Sequence, residues 1–245
     1  MELIELCLVL VVIVAVLAGG IAAVTGFGIG SLLTPVLALQ VDTRLAVAAV
    51  SIPHVLGTAL RFWSMRGRID RRVFWDFGLA SAAGGLTGAL LQGWMSNRWL
   101  NVVFGVLLLF AAAAELSGLA RRLRFRGAMA WIAGAASGLL GGLVGNQGGI
   151  RSAALLGFDL SKETFVATAT AVALFVDGAR MPVYLAMQHR EIAAIWPWVT
   201  LASVGVLIGT VLGSRALVGI PDVWFRRVLS LILAILGCAM LIRGI

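Results

Sequence analysis

The chain is 245 residues long, 61% hydrophobic and only 12% charged. A soluble domain is about 45–50% apolar and about 25% charged, so this composition excludes a water-soluble catalytic domain and points to a chain that lives in a bilayer. The formal charge of +8 arises from 18 Arg and a single Lys, Lys162, against 11 acidic residues; eight of the 18 Arg fall in two short clusters between apolar runs, which marks membrane topology rather than a nucleic-acid-binding face.

The first apolar run, 3–24, opens with Glu2 and Glu5 instead of a basic stretch, so it reads as a membrane helix and not as a cleavable signal. It closes at Gly26-Phe27-Gly28-Ile29-Gly30. A short segment, 30–40, follows and ends at Gln40-Val41-Asp42-Thr43-Arg44. At 1.5 Å per residue it covers about 17 Å, too little for a hydrocarbon core of ~30 Å. Runs 45–64, 73–94 and 99–119 come next, with Arg66, Arg68, Arg71 and Arg72 clustered between the first two. The basic run Arg121 to Arg126 then divides the chain. Its second half reads 127–145, a short segment 149–158, then 163–187, 192–214 and 223–243. All ten are read as helices, because backbone in lipid must satisfy its own hydrogen bonds and nothing alternates as a barrel strand does. The fold predicted is all-α: a polytopic membrane helix bundle with short discontinuous or re-entrant helices after Gly-rich breaks.

The halves read as copies. A shift of 119 residues carries Gly19 onto Gly138, Gly26 onto Gly145, Gly30 onto Gly149, Leu37 onto Leu156, Ser51 onto Thr170 and Arg61 onto Arg180. After a two-residue slip, Trp75 falls on Trp196, Gly84 on Gly205 and Gly88 on Gly209. The division is therefore 1–120, first repeat; 121–126, basic cytoplasmic linker; and 127–245, second repeat. Both Arg clusters belong on the cytoplasmic side. If each short segment crosses, a half has five crossings, the repeats are inverted, and Arg215, Arg226 and Arg227 lie inside with the N-terminus outside. If each is re-entrant, the repeats are parallel and those three Arg lie outside. The inverted arrangement is the preferred reading. Repeated halves with matched Gly-interrupted segments are the sequence sign of a secondary transporter.

Chemistry concentrates at the breaks. Gly28, Gly30 and Ser31 in the first, and Asn146, Gln147, Gly148 and Gly149 in the second, stand where a helix restarts. Such a start offers unpaired N–H groups and a dipole end that favours an anion. Arg61, Arg151 and Arg180 add positive charge inside apolar runs, where an unpaired ion is expensive and needs a partner or a wet cavity. Asp177, three residues before Arg180, can hold it on one helical face. His54, mid-helix after Ser51 and Pro53, reads first as a neutral, hydrogen-bonded packing side chain, with proton coupling or gating as the second reading. Gly84, Gly88, Gly205 and Gly209 read as close helix packing. Trp63, Trp75, Trp94, Trp99, Trp196, Trp198 and Trp224 lie near helix ends, as an interfacial belt does. Cys7, Cys238, His54 and His189 form no metal-ligand grouping, and no cofactor is predicted. No HExxH, GxSxG or P-loop is present, so neither an enzyme nor an ATP-driven pump is expected.

The stretch Leu17–Leu39 and its copy from Gly138 to Lys162-Glu163 resemble the two halves of the sulfite exporter TauE/SafE family. The loop Gly157-Phe158-Asp159-Leu160-Ser161-Lys162-Glu163 and the helix start Ala167-Thr168-Ala169-Thr170 fit the same resemblance. It implies a multi-pass protein of the bacterial cytoplasmic membrane that transports sulfite, organosulfonates or related anions. The expectation is a secondary transporter, an exporter, of a small anion bound between the two breaks. An anion channel with the same basic lining is the alternative, and homo-oligomerisation stays open.

Overall fold

The computed structural model describes residues 2–118, 125, 127–146, 148–216 and 222–245. Gln147 and nearly all of the 121–126 run therefore lie outside the described residues. Among the described residues there are ten α-helices and no strand. They are α1 (Glu2–Thr25), α2 (Ile29–Ala38), α3 (Thr43–Met65), α4 (Arg71–Gln92), α5 (Asn97–Leu116), α6 (Ala128–Val144), α7 (Gly148–Leu155), α8 (Lys162–Ala194), α9 (Trp196–Ala216) and α10 (Asp222–Gly244). Six of them, α1, α3, α5, α8, α9 and α10, are long and apolar enough to cross a membrane. Their outward faces carry Leu17, Phe110, Leu201 and Leu231, all exposed, as lipid-facing side chains are.

Local sequence sets the ends. Asp70 caps α4 by accepting from Val73 N at 2.9 Å, and Ser161 caps α8 by accepting from Thr164 N at 3.3 Å. α2 starts differently: its N-cap is Gly28 at φ 133°, a backbone conformation open to glycine alone, and no side chain caps it. The run expected to stop at 187 does break there: Gln188 is non-helical (φ −135°, ψ 17°), a kink that divides Lys162–Ala194 into two helical stretches. The polar His189-Arg190-Glu191 lies just beyond that kink.

Small residues bring backbones together and fix helix directions. A Cβ at Gly138 would stand 1.9 Å from Ser81 O, and one at Gly142 2.2 Å from Gly85 O, so α4 and α6 run parallel and in step. Gly209 meets Val16 O and Gly213 meets Gly20, so α1 and α9 do the same. Gly105 instead meets Gly237 O while Gly244 meets Arg98 O, so α5 and α10 run antiparallel. The packing role read for Gly84, Gly88, Gly205 and Gly209 agrees with these contacts, each lying against a neighbouring helix.

Ion pairs and polar ties mark the two ends of the bundle. At one end Arg68 pairs with Glu163 at 3.0 Å, and Asp70 N donates to Thr168 Oγ1 at 3.0 Å. At the other, Thr43 bonds Asn101, Arg44 bonds Met95 O, and Arg98 Nε donates to Gly244 O at 2.9 Å. Trp63, Trp75, Trp94, Trp99, Trp196 and Trp224 are exposed near these ends; Trp198 departs from the expected belt and packs half-buried against the core.

Candidate functional site

The two short helices meet start to start. Ser31 Oγ, in the first turn of α2, donates to Asn146 Oδ1 at 2.9 Å, just ahead of α7. The approach is close enough that a Cβ on Gly30 would lie 2.0 Å from Gly145 O, and one on Gly148 2.4 Å from Phe27 Cβ. Only glycine permits this seam. Between the strands of the seam lies a hollow walled by Phe27, Gly28, Gly30, Ser31, His54, Gly145, Asn146, Gly148 and Arg151. Its volume, about 10 Å³, is the room of one water.

Of the residues singled out in the sequence, Gly28, Gly30, Ser31, Asn146, Gly148, Arg151 and His54 come together in this wall. Gly149 does not; its nearest neighbour is Ala111 on α5. Asp177 and Arg180 stand one shell behind, reached through His54. His54 Nδ1 is 2.6 Å from Asp177 Oδ2, and Arg180 reaches Asp177 Oδ1 through Nε at 2.9 Å and Nη2 at 2.7 Å.

The buried cations are unequally matched. Arg180 is fully engaged: beyond Asp177, it donates to Gly141 O and lies over the Tyr184 ring. Arg151, 1% exposed, makes one bond, Nη2 to Gly26 O at 3.1 Å, and its Nε and Nη1 have no partner. Arg61, 4% exposed, bonds Thr58 Oγ1 at 3.2 Å, and its Nε and Nη1 are also without partners. In the 119-residue register read from the sequence, Thr58–Arg61 aligns with Asp177–Arg180, a hydroxyl standing where the second half has a carboxylate. Arg61 and Arg151 feel each other's charge. Among the described residues Asp177 is the buried carboxylate of this region, and Arg180 and His54 already hold both its oxygens. The site thus carries an excess of positive charge in a low-dielectric interior, which is costly unless an anion arrives.

The carbonyls that end α6 are satisfied by side chains, as lipid requires. Gly141 O accepts from Arg180, Gly142 O from the Tyr184 hydroxyl, and Leu143 O from Gln92 Nε2 at 3.0 Å. Sequence reasoning missed Phe27, Gly145, Gln92, Tyr184 and Gln188. A signal existed for two of these: Asp177, Arg180, Tyr184 and Gln188 recur at helical spacing and are all buried. Two nearby hydroxyls serve the backbone: Thr25 bonds Ile21 O at 2.9 Å and Ser51 bonds Ala48 O at 2.6 Å.

A larger recess of about 230 Å³ opens at the far end, lined by Asp42, Arg44, Asn97, Gln188 and Glu191 among others. Its two carboxylates outweigh its one guanidinium, so charge favours the smaller hollow as the anion site.

A family model described as sulfite exporter TauE/SafE matches residues 11–240 of the chain. No curated protein and no solved structure matches it.

Proposed function

The chain belongs to the sulfite exporter TauE/SafE family, and on that premise we propose that it is a secondary carrier of a small anion, sulfite or an organosulfonate, acting as an exporter across the bacterial cytoplasmic membrane. That it is a multi-pass protein of a transporter family, not of an enzyme family, follows from the family and the six spans. The substrate site is assigned to the seam, with Arg151 as the cation in its wall and Arg61 as a second buried cation, the starts of α2 and α7 with Gly28, Gly30 and Gly148 as backbone donors, and Ser31 and Asn146 as side-chain partners. Gln147 belongs to the same break. Arg180 and Asp177 hold the electrostatics behind it.

One observation carries this reading: Arg151, a buried guanidinium with free N–H groups, stands in the wall where two helix starts meet, and a second such cation, Arg61, lies within reach of its charge. A protein that keeps such charges against their desolvation cost has a use for them. The room of one water supports a carrier over a channel, because an anion larger than water enters only when the helices part. The two halves, 1–120 and 127–245, are read as inverted repeats, which the antiparallel α5 and α10 support. With the Arg68 end in the cytoplasm, a negative interior drives anions outward by about 2.3 kcal/mol per charge per 100 mV, so export needs no ATP.

The test is flux in liposomes with labelled sulfite, thiosulfate, sulfonates and carboxylates. Slow, saturable movement of a sulfur oxyanion is expected. Absence of flux for every anion, or large single-channel currents, overturns the carrier reading.

A further inference from the structure

His54 is the buried titratable group that anion binding alone leaves unused. It stands in the wall of the hollow and its Nδ1 is 2.6 Å from Asp177 Oδ2. Asp177 Oδ1 accepts a hydrogen bond from Arg180 Nε at 2.9 Å and lies 2.7 Å from Nη2 of the same guanidinium; beside that fixed cation the carboxylate is ionised and acceptor-only, which puts the hydrogen between His54 and Oδ2 on Nδ1. The neutral ring therefore leaves Nε2 as a bare lone pair. A lone pair offers an anion nothing. Adding a proton turns Nε2 into a second N–H donor and the ring into a cation, while the Nδ1 bond stays as it is.

The surroundings tie that proton to the anion. Facing His54 are Asp177 and Arg180 from α8; Arg61 stands on its own helix and Arg151 on α7 shares the wall. Neither α2 nor α6 contains a charged residue, and α9 has none from Trp196 to Gly213. With the hollow empty, the three guanidiniums outnumber Asp177, and a further positive charge is opposed. With an anion in place, that opposition is cancelled. Proton and anion each favour the binding of the other, which is reciprocal linkage.

We infer that His54 takes up one proton with each anion and releases it with the anion on the other side, so that the protein couples anion movement to a proton gradient. The step is a bare proton transfer: H⁺ from the aqueous phase joins the Nε2 lone pair, and it returns to water when the anion leaves. This rests on the anion-carrier reading above and adds the coupling ion to it: one proton lowers the charge moved by one, so a singly charged anion follows its own gradient and that of the proton, and a doubly charged one keeps a single charge for the membrane potential to drive outward.

The experiment uses the purified full chain in liposomes with labelled methanesulfonate and thiosulfate, both fully ionised near neutral pH, and with the membrane potential clamped at zero by potassium and valinomycin. One proton per anion predicts about tenfold accumulation of label for a gradient of one pH unit, with an internal pH dye recording proton entering alongside the label. His54→Gln, whose amide keeps a donor for Asp177, is expected to equilibrate the label without accumulating it and without a dye response; His54→Asn serves where the Gln variant is not recovered. Wild-type protein that equilibrates label but ignores the pH gradient overturns the coupling and leaves the carrier reading intact. Accumulation retained by the His54 variants overturns the assignment to this residue. No movement of either anion overturns both readings.

Discussion

Ser31 and Asn146 are 115 positions apart in the chain, yet the Ser31 hydroxyl donates to the Asn146 side chain at 2.9 Å. That bond sutures two helix starts that each had to leave the membrane's regular geometry to meet. Around it the described residues hold few spare acceptors and several spare donors, and the predictions below exploit that imbalance.

Arg151→Met and Arg180→Met are expected to move in opposite directions. Removing Arg151 takes away an uncompensated buried charge, so thermal stability in detergent should hold or rise while the KM for the anion rises tenfold or more. Removing Arg180 strands Asp177, which typically costs about 3–5 kcal/mol. Melting curves beside flux measurements read both. A stability loss with Arg151→Met equal to that of Arg180→Met would make Arg151 a structural cation.

Gly30→Ala should disable the protein although it adds one methyl. Its Cβ would stand 2.0 Å from the backbone oxygen of Gly145, which cannot swing aside; overpacking of this kind costs about 1–3 kcal/mol or more. Gly67→Ala meets nothing within 4 Å and should stay within about 0.5 kcal/mol of the parent. Comparable melts and comparable flux for the two variants would contradict the close seam.

Saturating anion should stabilise the folded protein, by about 2.7 kcal/mol at a concentration one hundred times Kd. Chloride at the same ionic strength controls for screening. The shift should vanish in Arg151→Met. A shift of equal size in that variant would relocate the anion elsewhere.

Single cysteines in a background lacking Cys7 and Cys238 test the membrane orientation. Trp94→Cys and Arg68→Cys sit at opposite ends of α4, near the two membrane faces. A membrane-impermeant maleimide applied to intact cells should label the first and not the second. Labelling of both from outside would contradict the crossing of α4, and the reversed pattern would invert the assigned direction.

The helix inventory was legible because each helix end coincides with a hydropathy break, a capping Asp or Ser, or a glycine cluster. The run through His189-Arg190-Glu191 follows the same rule: hydropathy falls where the backbone kinks at Gln188, and a second helical stretch resumes beyond it. The seam was legible in part, since the repeat brought Gly26–Gly30 and Gly145–Gly149 into register. What no periodicity encodes is the angle at which helices cross. That angle decides that His54 finds Asp177, that Gly149 turns toward Ala111 and that Gln92 reaches Leu143 O. The shortfall at Arg61 was readable in principle, because Thr58 occupies the place that Asp177 has in the second half.

The antiparallel α5 and α10 have a consequence for vectorial behaviour. On the proposed inverted-repeat reading, a scaffold whose halves point opposite ways presents almost the same architecture to either compartment, so the scaffold itself supplies little preference for one direction. Any bias must come from positions where the duplication has diverged: Phe27 against Asn146, Leu32 against Arg151, His54 against Ala173, Thr58 against Asp177. Those four pairs supply much of the seam and its charged surroundings, so exchanging their members between halves is a route to reversing or erasing the protein's sense of direction.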